Sequence, residues 1–362
     1  MHPLLENFSP EQFQQDLVGW YRDQKRDLPW RRSADPYHIW ISEIMLQQTK
    51  VDTVIPYYYR FLEAFPTIEA LAQAEEDQVM KQWEGLGYYS RARNLHQAVK
   101  EVAEEYGGIV PSGKKEFRSL KGVGPYTAGA VLSIAFDKPE PAVDGNVMRV
   151  FSRLLCLYED IGKQSTKSTF EAVLGEILPL TSPSDFNQAV MELGALICTP
   201  TSPGCLLCPV QEHCKARAAG VQEELPVKEK KKAPRKQEMA AAIIWNGRGE
   251  ILIHQRPDKG LLARLWEFPN TAVEKEAERA EEMGAYLEAE ASVTPEIERP
   301  VQRVEQTFSH LIWNVHVYEG KAERTGLPEG WQWVPLDDIA NYALPVAHQK
   351  IYKTLVERME LK

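Results

Sequence analysis

Four of the five cysteines fall within 17 residues, as Cys198-x6-Cys205-x2-Cys208-x5-Cys214. So tight a set of soft thiolates suits a zinc ion or an iron–sulfur centre. A disulfide framework fits poorly, because these cysteines bunch at one place and do not staple a core. Nor does Met1–Pro10 carry the basic residues and apolar run of a secretory leader, so the chain reads as cytosolic. The spacing by itself does not separate zinc from iron–sulfur. Cys156 stands alone in an apolar run and reads as a small buried hydrophobe.

A second stretch, Leu120-Lys121-Gly122-Val123-Gly124-Pro125-Tyr126-Thr127-Ala128, reads as helix, tight hairpin, helix. Gly122 and Gly124 let the backbone turn and approach another molecule without a Cβ in the way. Pro125 suits the first position of the following helix, whose free N–H groups can receive a phosphate. Twenty residues past Gly124 comes Val143-Asp144-Gly145-Asn146. In isolation, Gly-x-Gly fits an ordinary helix turn, and Asp-Gly is most often a turn.

The elements that must position these groups are helical. After Ser9-Pro10, Phe13, Leu17 and Tyr21 recur at i, i+4, i+8, the apolar face of a helix with its cap and first-turn proline. Asp35-Pro36 opens a second helix through Gln48. Further helical runs lie near 52–64, 75–83, 89–105, 125–136, 145–156, 167–178 and 184–197. Residues 222–237 have a linker's composition, with six basic residues and one acid in 226–237. Beyond it the period changes. Met239–Trp245 and Glu250–Gln255 flank Asn246-Gly247-Arg248-Gly249 as strand, turn, strand. Residues 311–318 alternate as another strand, while 274–289 and 347–359 read as helices. The chain therefore divides into a helical domain (1–221), a linker (222–237) and a mixed α+β domain (238–362).

A net charge of −10 argues against a binder that relies on basic patches alone, although backbone N–H groups and helix N-termini can still contact phosphate. No apolar run approaches the roughly 18 residues needed to span a bilayer.

With a helical domain before it, the cysteine spacing six, two, five resembles the 4Fe–4S loop of the endonuclease III-like, helix-hairpin-helix glycosylase superfamily. That resemblance implies a cluster that is structural and positions DNA. It also implies a cation held by hairpin carbonyls, here those of Leu120 and Val123, and a catalytic carboxylate at Asp144. Superfamily members that also cleave the backbone carry a lysine two residues after the second hairpin glycine. Here that residue is Tyr126, which implies a monofunctional enzyme.

Within the superfamily the chain is similar to adenine DNA glycosylases of the MutY type. The matching stretches are Arg26–Arg31, Ser42–Thr49, Gly85–Arg91, Asn187-Gln188 and Glu192–Ala195. The implied substrate is double-stranded DNA in which adenine faces 8-oxoguanine or guanine, acted on by a monomer in the cytoplasm, at the nucleoid. Excision needs an acid at the leaving base and an anion at the sugar. The resemblance assigns these to Glu43 and Asp144, with Tyr126 and Asn146 assisting. Burial is expected to raise the pKa of Glu43, and a hydrogen bond from Asn146 to keep Asp144 ionised. Arg26, Trp30, Arg31, Leu46 and Gln188 would form the adenine pocket. Gln48 and Tyr88 would enter the duplex beside Thr49 and Leu86, since the base must leave the stack.

In the second half, Leu261–Pro269 resembles the approach to a Nudix box. The box itself is broken: Glu278, Glu281, Glu282 and Gly284 fall in place, but Ala277 and Arg279 do not, and Ala263 and Pro269 replace the upstream glycine and glutamate. The reading is a multidomain fold: an all-α helix-hairpin-helix glycosylase domain with a 4Fe–4S loop, then an α+β Nudix-like domain without pyrophosphatase activity. In the MutY type that domain recognises 8-oxoguanine, through a loop matched by Phe308-Ser309-His310. Two other functions stay open on sequence: a pyrophosphatase acting on oxidised nucleotides, and a non-catalytic damage-binding protein.

Overall fold

The computed structural model describes residues 2–229, 233–273, 278–323 and 326–361. The chain forms two compact units, Met1–Gln73 with Asn94–Lys230, and Ala74–Arg93 with Lys231–Lys362. Residues 74–93 thus group with the C-terminal half, a departure from the expected boundary at 221.

Among the described residues the α-helices are α1 (Pro10–Gln24), α2 (Pro36–Leu46), α3 (Val51–Ala64), α4 (Ile68–Gln73), α5 (Glu76–Trp83), α6 (Ser90–Glu105), α7 (Lys114–Ser119), α8 (Pro125–Phe136), α9 (Gly145–Leu154), α10 (Gln164–Ile177), α11 (Pro183–Leu196) and α12 (Lys215–Ala219), followed by two in the C-terminal half. In the first unit, Phe13, Leu17 and Tyr21 of α1 are buried against Phe151, Phe170 and Phe186, as the periodicity requires. Asp35 caps α2 by accepting from Tyr37 N–H at 2.8 Å. That helix ends at Leu46, short of the expected Gln48, because Gln47 leaves helical geometry at ψ 113° and Gln48 enters the left-handed region at φ 57°. The expected run to residue 156 likewise stops at Leu154, and Cys156 is half-buried with φ 57°.

The second unit holds a seven-stranded mixed sheet built from β1 (Arg235–Trp245), β2 (Glu250–Gln255), β3 (Trp266–Glu267), β4 (Asn270–Ala272), β5 (Glu296–Thr307), β6 (Leu311–Lys321) and β7 (Trp331–Pro335). The order is β3-β2-β1-β6-β5, with β4 on β1 and β7 on β2. β1 and β6 run parallel, and the other pairs are antiparallel. The predicted turn after Trp245 is present, with Asn246 Oδ1 accepting from the Arg248 and Glu250 N–H groups. Alternate residues of β1 enter different cores. Ala241 and Ile243 pack with Ile351 and Leu355 of α14 (Val346–Glu360), while Ala240, Ala242 and Ile244 pack with Met283 and Leu287 of α13 (Arg279–Ala291). Burial on both faces explains why β1 reads as a continuous apolar run. Arg235–Gln237, expected as linker, already belong to β1. Residues 230–232 of that linker lie outside the described residues, as do 274–277 at the start of the expected helix, including Ala277.

The segment 74–93 joins this unit through named bonds. Arg264 Nε pairs with Glu76 at 2.9 Å, Glu84 Oε1 accepts from Leu344 N–H at 2.7 Å, and Arg93 Nη1 donates to Ala263 O at 2.7 Å.

Candidate active site

One cavity of the first unit is lined by side chains from the segment 26–31, from α2 and the turn into α3, from both ends of α8, from the start of α9 and from α11. Glu43, Asp144, Tyr126 and Asn146 all line it. So do Arg26, Trp30, Arg31, Leu46, Gln188 and Thr49, with Ile39, Ile134 and Met191 as apolar wall.

Glu43 is 5% exposed and accepts a 2.6 Å hydrogen bond from the Tyr126 hydroxyl. Burial pushes its carboxyl up to about 7; the Tyr126 bond opposes the rise, and the charge of Asp144 adds to it. Tyr126 itself is pushed well above its ordinary value by burial, so it stays a neutral donor.

Asp144 is the N-cap of α9. Its Oδ1 accepts from Val147 N–H at 2.7 Å, and its Oδ2 from Asn146 Nδ2 at 2.8 Å. The hydrogen bond expected from Asn146 is therefore present, but the carboxyl pKa lies above its usual value. Burial is the largest influence and outweighs the donors. Asn146 is oriented in turn by Arg149, whose Nη2 donates to Asn146 Oδ1 and Gly194 O, both at 2.8 Å, and whose Nε donates to Cys198 O at 2.8 Å. A continuous line of bonds thus runs from the cysteine loop to the aspartate.

Glu192 was given no role in the sequence reading, yet it organises the pocket floor. It is 1% exposed, and its carboxylate receives Arg26 at 2.7 Å and Arg31 at 2.9 Å. These guanidinium groups hold its pKa down at about 2 against the effect of burial. The signal was its place one turn after Gln188 on α11. Gln188 Nε2 makes one 3.2 Å bond to Ser184 Oγ. Trp30 is buried edge-on to Tyr58, with ring centroids 5.6 Å apart.

Other expected residues lie elsewhere. Gln48 is exposed just past α2. Gly122 has φ 76°, and a Cβ there would meet Asn94 Cβ at 2.6 Å, so this glycine is required. Gly124 has an ordinary φ of −86°, and a Cβ there would meet nothing within 4 Å, so its missing side chain serves an open face and not the turn. Leu120 O accepts from Val123 N–H at 3.2 Å.

In the second unit, Tyr88 is 47% exposed with φ 48°, whereas Leu86 is buried at 6% and offers little surface to a duplex. Phe308, Ser309 and His310 connect β5 to β6 and line a cavity of about 410 Å³ together with Gly87, Tyr88 and Leu261. Phe308 packs edge-on against Trp313, which leaves Ser309 and His310 exposed. Arg279, at a Nudix-box position that calls for an aliphatic residue, is buried and paired to Glu238 at 2.8 Å.

The four loop cysteines are free thiols and line one cavity, walled by Val150, Leu154, Leu193 and Val210. Burial pushes the Cys208 thiol up to about 12, and neighbouring cysteines add to the rise. Arg153 is 2% exposed and donates to Cys198 Sγ at 3.2 Å and to Thr199 O at 2.7 Å. Among the described residues no three His, Cys, Asp or Glu side chains meet as ligands of one ion. A shared, apolar-walled cavity ringed by four unpaired thiols beside a guanidinium fits a multi-atom cluster held by thiolates.

Residues 41–176 match the HhH-GPD superfamily of base excision DNA repair proteins, and residues 240–354 match the NUDIX domain. The fold is thus a base-excision DNA glycosylase domain followed by a NUDIX domain. An adenine DNA glycosylase of Homo sapiens is 35% identical over 94% of this chain and 73% of its own length. One from Schizosaccharomyces pombe is 32% identical over 96% and 90%. A solved thermostable thymine-DNA glycosylase is 29% identical with a TM-score of 0.53, covering 59% of this chain and 99% of its own. The chain belongs to the adenine DNA glycosylase family.

Proposed function

We propose that this chain hydrolyses the N-glycosidic bond of adenine paired with 8-oxoguanine, leaves an abasic site, and does not cut the backbone. The observation that carries the reading is Glu43, buried with its pKa near 7 and hydrogen-bonded to Tyr126, in the same cavity as the N-cap carboxylate Asp144. Protonated Glu43 donates at the purine N7 as the bond from sugar C1′ to N9 breaks and its electron pair leaves on the base. Asp144 faces the cationic sugar, whose developing charge favours the ionised aspartate despite its burial. Water adds at C1′, and its proton passes to a carboxylate. Tyr126 at the position of the lysine of backbone-cleaving relatives supports a monofunctional course.

The second unit supports recognition of the opposite base, because Ser309 presents a hydroxyl on the wall of a cavity that also holds Tyr88. We assign excision to residues 1–221 and recognition to 238–362, with 74–93 joining the latter as its grouping and its Tyr88 require. Cys198, Cys205, Cys208 and Cys214 would hold a 4Fe–4S cluster that braces the loop beside Arg149. A brown protein with visible absorption supports the cluster; a colourless one holding stoichiometric zinc overturns it.

The main test incubates the purified protein with A·8-oxoguanine duplex and then with alkali. Breaks at adenine only after alkali are expected. Breaks before alkali overturn the monofunctional course, and tight binding without any break overturns catalysis. Asp144→Asn should bind the duplex and release no base, since Asn caps a helix about as well as Asp and the fold should persist.

A further inference from the structure

The turn that carries Tyr88 is internally locked. Trp83 Nε1 donates to Gly87 O at 3.2 Å, and Gly85 N–H donates to the Tyr89 hydroxyl at 3.0 Å. Arg91 Nη2 donates to Leu86 O at 3.3 Å and Gly87 O at 3.0 Å, with its guanidinium over the rings of Trp83 and Tyr88. Gly85, Gly87 and Tyr88 all adopt left-handed backbone, with φ of 91°, 76° and 48°. A turn so over-determined moves as one piece, and its placement is set at its base.

Glu84 is that base. Its Oε1 accepts from Leu344 N–H at 2.7 Å, and its Oε2 accepts from Lys81 Nζ at 2.5 Å. Lys81 Nζ also donates to Tyr342 O at 3.0 Å. The anchor point adjoins the cavity itself, since Pro345 and Val346 line it together with Tyr88 and Ser309. A buried or half-buried carboxylate that binds a backbone N–H and an ammonium together is a strong, directional tie.

We infer that Glu84 is a positioning residue for discrimination of the opposite base: by tying the locked turn to Leu344 and Lys81 it sets how Tyr88 stands in the cavity it shares with Ser309. This rests on the 8-oxoguanine reading above. Glu84 is not among the residues that line the cavity of Glu43 and Asp144, so on this inference its loss should alter which pair is accepted and spare the bond-breaking groups.

The test uses the full-length protein with its metal content intact. Single-turnover excision is measured on A·8-oxoguanine and A·G duplexes, and affinity for both is measured in the Asp144→Asn background. Glu84→Leu should lower the preference for 8-oxoguanine by about tenfold, the worth of one charge-assisted hydrogen bond, while the rate on A·G stays within about twofold. Glu84→Gln keeps an acceptor for Leu344 N–H and should restore most of the preference. Lys81→Met, which leaves Leu344 bound, should shift it in the same direction by less, and it keeps the question open to measurement should Glu84→Leu fold poorly. An unchanged preference in Glu84→Leu and Lys81→Met, or equal loss on both duplexes, overturns the inference. Wild-type protein that does not distinguish 8-oxoguanine from guanine overturns the substrate reading instead.

Discussion

The Tyr126 hydroxyl donates to Glu43 Oε2 across 2.6 Å, so a residue at the start of α8 controls the proton on α2. A donor favours the ionised form of the carboxylate it contacts, and here it opposes the rise that burial imposes. Removing it in Tyr126→Phe should move the Glu43 pKa further up, by about one unit for a lost hydrogen bond to a charged group. In the proposed mechanism protonated Glu43 drives excision, so wild-type activity should fall as pH rises through about 7. In Tyr126→Phe that limb should move to higher pH. Single-turnover rates from pH 5.5 to about 9 check this; an alkaline limb that shifts the other way excludes Glu43 as the titrating acid.

The same burial has a stability consequence. A carboxyl whose folded pKa is raised favours folding below its unfolded value, and that contribution is lost as pH rises through the folded pKa. For Glu43 the window runs from 4.5 to about 7, so at pH 8 the ionised side chain costs up to about 3 kcal/mol. Glu43→Gln should therefore be inactive yet more stable than wild type at pH 8, and nearly equal to it at pH 4.5. Urea unfolding at the two pH values measures the difference.

Asn146 joins the aspartate to Arg149, which reaches the Cys198 carbonyl. Asn146→Ala removes one of the donors that hold Asp144 down against burial and frees its Oδ2 to rotate. Excision should fall by about 10- to 100-fold, equal to one or two lost charge-assisted bonds, with duplex affinity nearly unchanged. A parallel loss of affinity would place Asn146 in DNA binding instead.

Much of this arrangement was legible in the residues, for uneven reasons. The face of α1, the hairpin and the cysteine loop each have a local signature: an i, i+4, i+8 apolar row, paired glycines before proline, and dense thiols. β5 has none. It is an edge strand, its residues are largely exposed, and register shifts at Ile297/Arg299 and Pro300/Gln302 break any alternation. The grouping of α5 with the C-terminal half rests on Glu76, Lys81 and Glu84 meeting residues far along the chain, which no local pattern records. The rise in the Asp144 pKa was missed for a related reason. The donors are neighbours in sequence, but the burial that outweighs them arises in a cavity whose other walls come from residues 26–51, 126–134 and 188–195.

Glu192 depends on the same kind of distant packing, and its effect runs opposite to that of Glu43. Arg26 and Arg31 come from the segment after α1, 161 and more residues away, and converge on one carboxylate that is 1% exposed. Their charges hold it at about 2, so its contribution to stability is full above 4.5 and is lost as pH falls toward 2. Glu192→Leu fits the volume but leaves Arg31, with 13% of its side chain exposed, without its counter-charge. That should cost about 3 kcal/mol at pH 7, and less than a fully buried cation would, because Arg26 is one-third exposed and can rehydrate. Glu192→Gln keeps one acceptor oxygen, at a position that both guanidinium groups reach, and should cost less than Glu192→Leu. Unfolding curves at pH 7 and at pH 2 decide the matter: the gap between wild type and Glu192→Gln should close in acid, where wild-type Glu192 takes up its proton. A gap of the same size at both pH values would mean that shape, and not charge, holds the two arginines in the pocket floor.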